Sequence, residues 1–193
     1  MKIFEKTLIL ASKSPRRSQL LREAGFRFVI KTKDIDESFS DKMDVRKVAK
    51  YLAEKKAKGC ADFLESEEDI LLAADSTVVC GDKIYNKPQD RDDAIRMLTE
   101  LSGKKHTVCT GVCLLSKSKK KSLTGKSDVW FEELTKEEIE WYIDTCQPYD
   151  KAGSYGIQEW MGHCKIKKIS GTNTNIMGLP VDLVYKYLNE WED

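Results

Sequence analysis

The sequence predicts a mixed α/β fold, in which helices flank a sheet of parallel and antiparallel strands. Short apolar runs alternate with amphipathic helical patterns in the first half of the chain, which favours parallel strands joined by helices. Two long strand-like segments, 106–115 and 123–134, are separated by a short link, so they are expected to pair antiparallel. The 193 residues are enough for one domain, predicted over 1–193, because no repeat or linker divides them.

The first elements follow from apolar runs and helix boundary signals. Ser14 and Pro15 suit the N-cap and first position of a helix, and Asp44 is expected to cap the next one. The apolar run 70–74 is typical of a central strand, which is expected to end at Asp75. The expected strands here are 7–11, 28–32 and 70–74, and the expected helices are 15–24 and 45–58.

The remaining elements are predicted from turn and cap residues. Gly81-Asp82 predicts a hairpin turn, Asp90 a helix cap, and Thr135 to Glu138 a capping box. A polar loop is expected over 171–178, and the last helix is expected to start at Pro180. The expected strands are 77–80, 83–85, 106–115, 123–134 and 164–169, and the expected helices are 91–101 and 136–145.

Composition excludes several classes of protein. The 33 basic and 32 acidic residues nearly cancel, so no overall field favours nucleic acid or an anionic membrane as a partner. No apolar run reaches about 18 residues, and the start of the chain is not typical of a signal peptide. The six cysteines form no C-x-x-C pair, which indicates reduced thiols. A cytoplasmic protein is therefore expected.

Common catalytic and nucleotide-binding motifs are missing. The chain contains no H-E-x-x-H, G-x-S-x-G or G-x-G-x-x-G sequence, and it has only two histidines, His106 and His163. Gly125-Lys-Ser127 resembles the end of a P-loop, but Lys120 stands where that motif requires glycine. A zinc hydrolase, a nucleophile-elbow hydrolase and a P-loop enzyme are thus disfavoured.

A candidate phosphate site lies where the first strand meets the first helix. Ser12 and Ser14 supply hydroxyls, Arg16 and Arg17 supply guanidinium groups, and the helix start supplies unpaired N–H groups. The alternative is an ordinary helix cap beside two surface arginines.

Carboxylates and lysines elsewhere complete a possible metal-assisted chemistry. Asp75 at a strand end is able to hold Mg²⁺ or accept a proton from water, and Asp36-Glu37 offers further carboxylates. Lys87 and Lys151 add cations beside stiff or glycine-rich backbone. The alternatives are a strand-end turn residue, a solvated loop and surface lysines. Taken together, these groups indicate hydrolysis of a phosphate ester or anhydride.

Six further segments stand in a fixed order along the chain: Ala11-Ser-Lys-Ser-Pro-Arg-Arg17 with Leu20-Leu21, Ala74-Asp-Ser-Thr-Val-Val79, Asn86-Lys-Pro88, Leu101-Ser-Gly103, Asp150-Lys-Ala-Gly-Ser-Tyr-Gly-Ile-Gln158 and Asn175-Ile-Met-Gly-Leu-Pro180. Together they resemble the Maf family of nucleoside triphosphate pyrophosphatases. The resemblance implies a bent mixed sheet with two lobes and a cleft between them. It also implies metal-dependent hydrolysis of a nucleoside triphosphate to the monophosphate and pyrophosphate in the cytosol, and Tyr155 to Gln158 resembles the branch that acts on dTTP and UTP.

The resemblance also implies a role for individual residues. Asp75 matches the catalytic proton acceptor, and Glu37 with Asp75 matches the carboxylates beside a divalent metal, Mg²⁺ or Mn²⁺. The positions matching substrate choice are Arg16, Ser76 and Gln158, and those expected around the phosphates are Ser12, Ser14, Arg17, Lys56 and Lys87. The Lys56 assignment competes with the adjacent Lys55. A homodimer is left open.

Two departures and two alternatives accompany this resemblance. Ser76 stands where the dTTP/UTP branch usually has threonine, and the segment after Gln158 is longer than usual and lacks its usual small residues. One alternative is a non-catalytic nucleotide or protein binder that regulates growth or division. The other is a pyrophosphatase for modified or non-standard nucleotides.

Overall fold

The computed structural model describes residues 6–191 and divides the chain into two compact units. Unit 1 comprises Met1–Asp75, Thr110–Gly125 and Gly178–Asp193, and unit 2 comprises Ser76–Cys109 and Lys126–Met177. The expectation of no signal peptide depends on the start of the chain. Residues 1–5 of that start lie outside the described residues. The single domain over 1–193 stays a prediction.

Strands form one mixed sheet, as the sequence predicts. They are β1 (Thr7–Leu10), β2 (Arg27–Ile30), β3 (Ile70–Cys80), β4 (Lys83–Tyr85), β5 (Lys105–Leu115), β6 (Lys120–Phe131) and β7 (Ile166–Ser170). Their order is β2-β1-β3-β5-β6-β7, and β4 pairs with β3. β1 is parallel to β2 and β3, whereas β4 is antiparallel to β3 and β7 to β6. The sheet therefore contains both parallel and antiparallel pairs.

Helices connect and cover these strands. They are α1 (Pro15–Glu23), α2 (Val48–Gly59), α3 (Arg91–Leu101), α4 (Lys136–Cys146), α5 (Trp160–Cys164), α6 (Asn173–Met177) and α7 (Val181–Asn189). Two predicted caps are confirmed: the Asp90 side chain accepts the Asp93 N–H at 2.8 Å, and Thr135 with Glu138 forms a capping box. These caps fix the starts of α3 and α4 because they pair N–H groups that have no partner within the helix.

Unit 1 packs α2 directly on the sheet. Ala53 and Ala57 of α2 meet apolar residues of β1 and β3, and all of them are buried. The close approach requires glycine at position 111 of β5, because a Cβ there would overlap the main chain of Ala49. This packing sets the position of Lys56, which lies in the last turn of α2.

Unit 2 has its own apolar core. The buried faces of α3 and α4 join Val78 of β3, Val129 of β6 and Tyr155 in one cluster. Tyr142 of α4 has no exposed surface although it carries a hydroxyl. A hydroxyl buried this deeply needs hydrogen-bond partners, and it has them in the loop that follows α4.

Several predicted boundaries are wrong for identifiable reasons. β3 does not end at Asp75 but runs through it to Cys80, because the residues of the predicted hairpin continue the same strand. Asp44 stabilises a turn by accepting the Arg46 N–H at 2.9 Å, and α2 starts only at Val48. The expected polar loop 171–178 contains α6, and 160–164 is helical, so that β7 starts at Ile166.

The structure bears on two further expectations, one about the cysteines and one about membrane-spanning helices. All six cysteines are free thiols, and Cys109 and Cys113 are buried in β5. Among residues 6–191, no helix is long and apolar enough to cross a membrane.

Candidate active site

Lys56 joins two of the predicted carboxylates in unit 1. Its ammonium lies 2.5 Å from an Asp75 carboxylate oxygen and 2.9 Å from one of Glu37. The Lys56 and Asp75 side chains are only 17% and 12% exposed, so solvent screens this ion pair less than a surface pair. Residues 37, 56 and 75 therefore meet from three separate parts of the chain.

Asp75 lies inside β3 rather than at its end. It follows five fully buried apolar residues and is itself 8% exposed. A buried carboxylate must be paired, because an isolated charge loses its hydration without compensation. Lys56 supplies that pairing.

The two adjacent lysines of α2 have different partners. Lys55 lies 2.7 Å from an Asp36 carboxylate oxygen, and its ammonium also donates to the Ser38 carbonyl at 3.0 Å. The hydrogen bonds from Lys55 and Ser38 hold the pKa of the Asp36 carboxyl far below its usual range. Lys56 thus faces Asp75 whereas Lys55 holds the exposed loop. Of the two candidate lysines, Lys56 is the one that the structure brings to the site.

Arg17 fixes the turn between β1 and α1. Its Nε donates to the Gly178 carbonyl at 2.8 Å, and another guanidinium N–H donates to the Ser12 hydroxyl at 3.1 Å. The Ser12 hydroxyl also accepts the Ser14 N–H at 3.2 Å. Burial lowers the pKa of Arg17, while the Asp75 and Glu37 carboxylates raise it. Arg17 therefore lies in the electrostatic field of both carboxylates.

Ser14 and Arg16 complete the predicted phosphate turn. Ser14 is the N-cap of α1 in extended conformation and Pro15 is its first residue, as predicted, although the Ser14 side chain makes no cap hydrogen bond. Arg16 is half-buried, and its charge lowers the pKa of Arg17. The alternative of a cap beside two surface arginines does not fit, because both arginine residues are half-buried.

The carboxylates of Asp75 and Glu37 suit a metal ion only when a bound substrate supplies further ligands. Among residues 6–191, no group of three or more His, Cys, Asp or Glu side chains is placed to hold an ion. Asp75 and Glu37 nevertheless both lie within 3 Å of one cation, the Lys56 ammonium. Two carboxylates completed by phosphate oxygens and water suit Mg²⁺, which seldom has an all-protein site. The donor set therefore fits a substrate-assisted metal site.

In unit 2, the glycine-rich segment lies against the residues that follow β4. The Gly153 N–H donates to the Asn86 carbonyl at 3.1 Å, and a Cβ at Gly153 would press on Val78. Gly153 also has a φ of 72°, a conformation that favours glycine. Lys87, next to Asn86, is exposed.

Lys151 is not the surface lysine of the alternative interpretation. Its residue is only 9% exposed, and its ammonium lies 2.8 Å from Asp150 and 3.0 Å from Glu159. A role for Lys151 as a cation beside a ligand stays a prediction. No local sequence pattern indicates this pairing, because Glu159 lies in a segment without a regular pattern.

Ser76 and Gln158 are the two predicted specificity residues of unit 2. Ser76 is half-buried in β3, directly after Asp75, and Gln158 is exposed in the turn before α5. An exposed amide has a donor and an acceptor to offer to a ligand.

Two buried tyrosines beside Gln158 were not predicted. The Tyr155 hydroxyl lies 2.8 Å from Nε2 of His106, and these rings contact Phe131 edge-on. Burial lowers the pKa of His106 to about 4. Tyr142 bonds Glu159 and the Gly156 N–H. The apolar spacing of Ile139, Tyr142 and Ile143 was the available signal for a buried tyrosine.

Comparisons with known proteins point in one direction. Residues 7–191 match the model of the family described as Maf-like protein. A dTTP/UTP pyrophosphatase of Bacteroides thetaiotaomicron is 43% identical over 95% of both chains. One of Porphyromonas gingivalis is 42% identical over 95% of this chain and 94% of its own. One of Christiangramia forsetii is 40% identical over 95% of this chain and 93% of its own.

Proposed function

Since this chain belongs to the Maf-like protein family, we propose that it is a nucleotide pyrophosphatase that hydrolyses dTTP and UTP to the monophosphate and pyrophosphate. The observation that carries this proposal is the contact of Lys56 with both Asp75 and Glu37, within the field of Arg17. These two cations and two carboxylates suit a polyphosphate and a water that must lose a proton.

The phosphates are bound by the cationic groups of unit 1. A triphosphate brings about four negative charges, which Arg16, Arg17 and Lys56 offset as it binds. The Ser12 and Ser14 turn adds hydroxyl and N–H groups at the start of α1, where anions are favoured. Lys87 is proposed as a further phosphate-binding residue. Offsetting the charge lets a nucleophile approach the α-phosphorus.

Asp75 is the proposed base. Its carboxylate is held by Lys56, and phosphate oxygens compete for that same ammonium. As Lys56 turns to the phosphates, an Asp75 oxygen is released to accept a hydrogen bond from the attacking water. Asp75 then takes a proton from the attacking water, and pyrophosphate leaves.

A divalent cation fits the two carboxylates of this site. Asp75 and Glu37 would hold it together with phosphate oxygens, and Mg²⁺ and Mn²⁺ both accept such ligands. When bound, it supplies charge neutralisation of the leaving pyrophosphate and helps water to ionise. Excess chelator is expected to stop turnover, and restored Mg²⁺ or Mn²⁺ is expected to recover it.

The base is recognised in unit 2 in this proposal. Gln158 offers an amide donor and acceptor that match the O4 and N3–H groups of uracil or thymine. Ser76 keeps the hydroxyl of the usual threonine and lacks only its methyl group, so its effect on base preference is small.

A nucleotide panel tests the proposal. Pyrophosphate release is measured with dTTP, UTP, CTP, ATP, GTP and 5-substituted pyrimidine triphosphates, each with Mg²⁺, Mn²⁺ or chelator. The highest kcat/KM is expected for dTTP and UTP. Binding without release across the panel would instead support a regulatory nucleotide binder, and a preference for the substituted analogues would redirect the substrate assignment.

A further inference from the structure

The segment that carries Gln158 is held by Glu159, the residue that follows it. The Glu159 N–H donates to the Gly156 carbonyl at 3.2 Å, which closes a turn over residues 156–159. The Glu159 carbonyl in turn accepts the N–H groups of Gly162 and His163, at 2.9 and 3.1 Å. Gln158 thus projects from a turn whose last residue is tied into α5.

The carboxylate of Glu159 ties the same turn to α4. One of its oxygens accepts a hydrogen bond from the Tyr142 hydroxyl, and the other lies 3.0 Å from the Lys151 ammonium. The Tyr142 hydroxyl also accepts the Gly156 N–H at 3.0 Å. One buried tyrosine therefore holds both ends of the turn, at Gly156 and at Glu159.

The burial of Tyr142, Glu159 and Lys151 restricts the movement of the turn over residues 156–159. Tyr142 has no exposed surface, and the Glu159 and Lys151 side chains are 20% and 10% exposed. Burial and the Glu159 carboxylate raise the pKa of the Tyr142 hydroxyl, which therefore remains a donor at every working pH. The carboxylate packs so closely on Gly156 that a Cβ there would come within 2.8 Å of it. The turn over residues 156–159 therefore has little space in which to adopt another conformation.

We propose that Glu159 is a positioning residue that sets nucleobase selectivity by fixing the turn that carries Gln158. This inference rests on the proposed function, in which Gln158 contacts the pyrimidine. Uracil and cytosine have nearly the same shape and differ in the donor and acceptor pattern at N3 and the 4-position. A fixed turn presents the amide to the base from one position, which favours one of these patterns over the other.

Kinetic constants for UTP and CTP test this role in variants of unit 2. Glu159→Ala removes the carboxylate, and Glu159→Gln keeps an acceptor for Tyr142. Tyr142→Phe removes the hydroxyl that joins the ends of the turn. The matched control is Tyr85→Phe, because Tyr85 is another buried tyrosine whose hydroxyl bonds a glutamate, Glu100, at 2.7 Å.

The expected change is in selectivity rather than in turnover. Loss of the carboxylate in Glu159→Ala is expected to lower the UTP/CTP ratio of kcat/KM about tenfold, through the KM for UTP, with kcat within about twofold. Glu159→Gln is expected to restore most of the ratio, and Tyr142→Phe to fall between the two. Tyr85→Phe is expected to keep the wild-type ratio. Thermal unfolding midpoints identify any variant that fails to fold.

A double variant separates positioning from general stability. If Glu159 acts through Gln158, then adding Glu159→Ala to Gln158→Ala leaves the UTP/CTP ratio of Gln158→Ala unchanged. An unchanged ratio in Glu159→Ala alone, or additive losses in the double variant, would overturn the inference.

Binding of non-hydrolysable UTP and CTP analogues, measured by calorimetry, gives the same ratio without turnover. Wild-type protein that releases no pyrophosphate but binds the UTP analogue selectively, with Glu159→Ala losing that selectivity, contradicts the proposed function and supports the inference. Wild-type protein that binds neither analogue, or both equally, overturns the inference itself.

Discussion

The site residues of the two units are held in different ways. In unit 1, Lys56, Asp75 and Glu37 hold one another through ion pairs, so the groups proposed to react are also the groups that fix the site. In unit 2, Gln158 and Lys87 are exposed, and their positions depend on buried neighbours such as Tyr142 and on backbone hydrogen bonds. A change at a site residue should therefore disturb its neighbours in unit 1 but not in unit 2.

The largest effect is expected at Asp75, the proposed general base. Asp75→Asn keeps the shape and a hydrogen-bond acceptor for Lys56 but removes the proton acceptor, so kcat is expected to fall about 10³-fold, within the range for loss of a general base. The protein should remain folded, which circular dichroism and the unfolding midpoint check. Near-wild-type turnover in this variant would falsify the assignment of Asp75.

The next effect distinguishes the two lysines of α2. Lys56→Ala removes a phosphate ligand and leaves two carboxylates without their cation, and a loss of about 10²-fold in kcat/KM is expected. Lys55→Ala is the matched control, because Lys55 pairs with the exposed Asp36 and its loss is expected to cost less than about twofold. Equal losses in the two variants would contradict the contrast between these lysines.

The fold class was predicted correctly from the sequence. The sequence also indicated which charged residues would meet, but it was less accurate about where they lie in the strands and helices. The carboxylates and Lys56 do meet, although Asp75 was expected at the end of a strand that in fact continues to Cys80. That error arose because a charged residue in a buried run was taken as the end of the run. The partner that allows Asp75 to be buried comes from α2, nineteen residues earlier, and no local pattern shows it.

The supporting contacts of unit 2 were harder to predict for a similar reason. Lys151 was a candidate surface lysine, but it is buried between Asp150 and Glu159. The helix Asn173–Met177 was taken for a loop because its residues are polar and it is short, whereas Thr172 accepts the Asn175 N–H at 3.3 Å and helps to start it. Such contacts join segments that have no periodic pattern of their own.

A smaller effect is expected at the exposed amide of unit 2. Gln158→Ala removes one or two hydrogen bonds to the base, which is expected to lower the UTP/CTP ratio of kcat/KM about tenfold. Because no other side chain of the site depends on Gln158 for its position, kcat with UTP and the unfolding midpoint should remain close to wild type. A large loss of stability in this variant would break the contrast between the units.

The smallest expected effect is a pH dependence of the free energy of unfolding, which arises from the buried His106 of unit 2. The buried His106 has a pKa of about 4, well below its value near 6.5 in an unfolded chain. The unfolded state therefore takes up a proton first as the pH falls. The stability that neutral His106 contributes is full above pH 6.5 and is lost progressively between pH 6.5 and 4. At pH 5.5 the loss is about 1 kcal/mol of the free energy of unfolding.

Denaturant unfolding at pH 7.5 and 5.5 measures this dependence. His106→Gln removes the titrating ring but leaves an amide for the Tyr155 hydroxyl, so the variant is expected to lose about 1 kcal/mol less than wild type over that interval. His163→Gln, at the exposed histidine of α5, should keep the wild-type dependence. An unchanged pH dependence in His106→Gln would mean that water reaches the ring in the folded state, and the support of Gln158 would then be less rigid than its burial indicates.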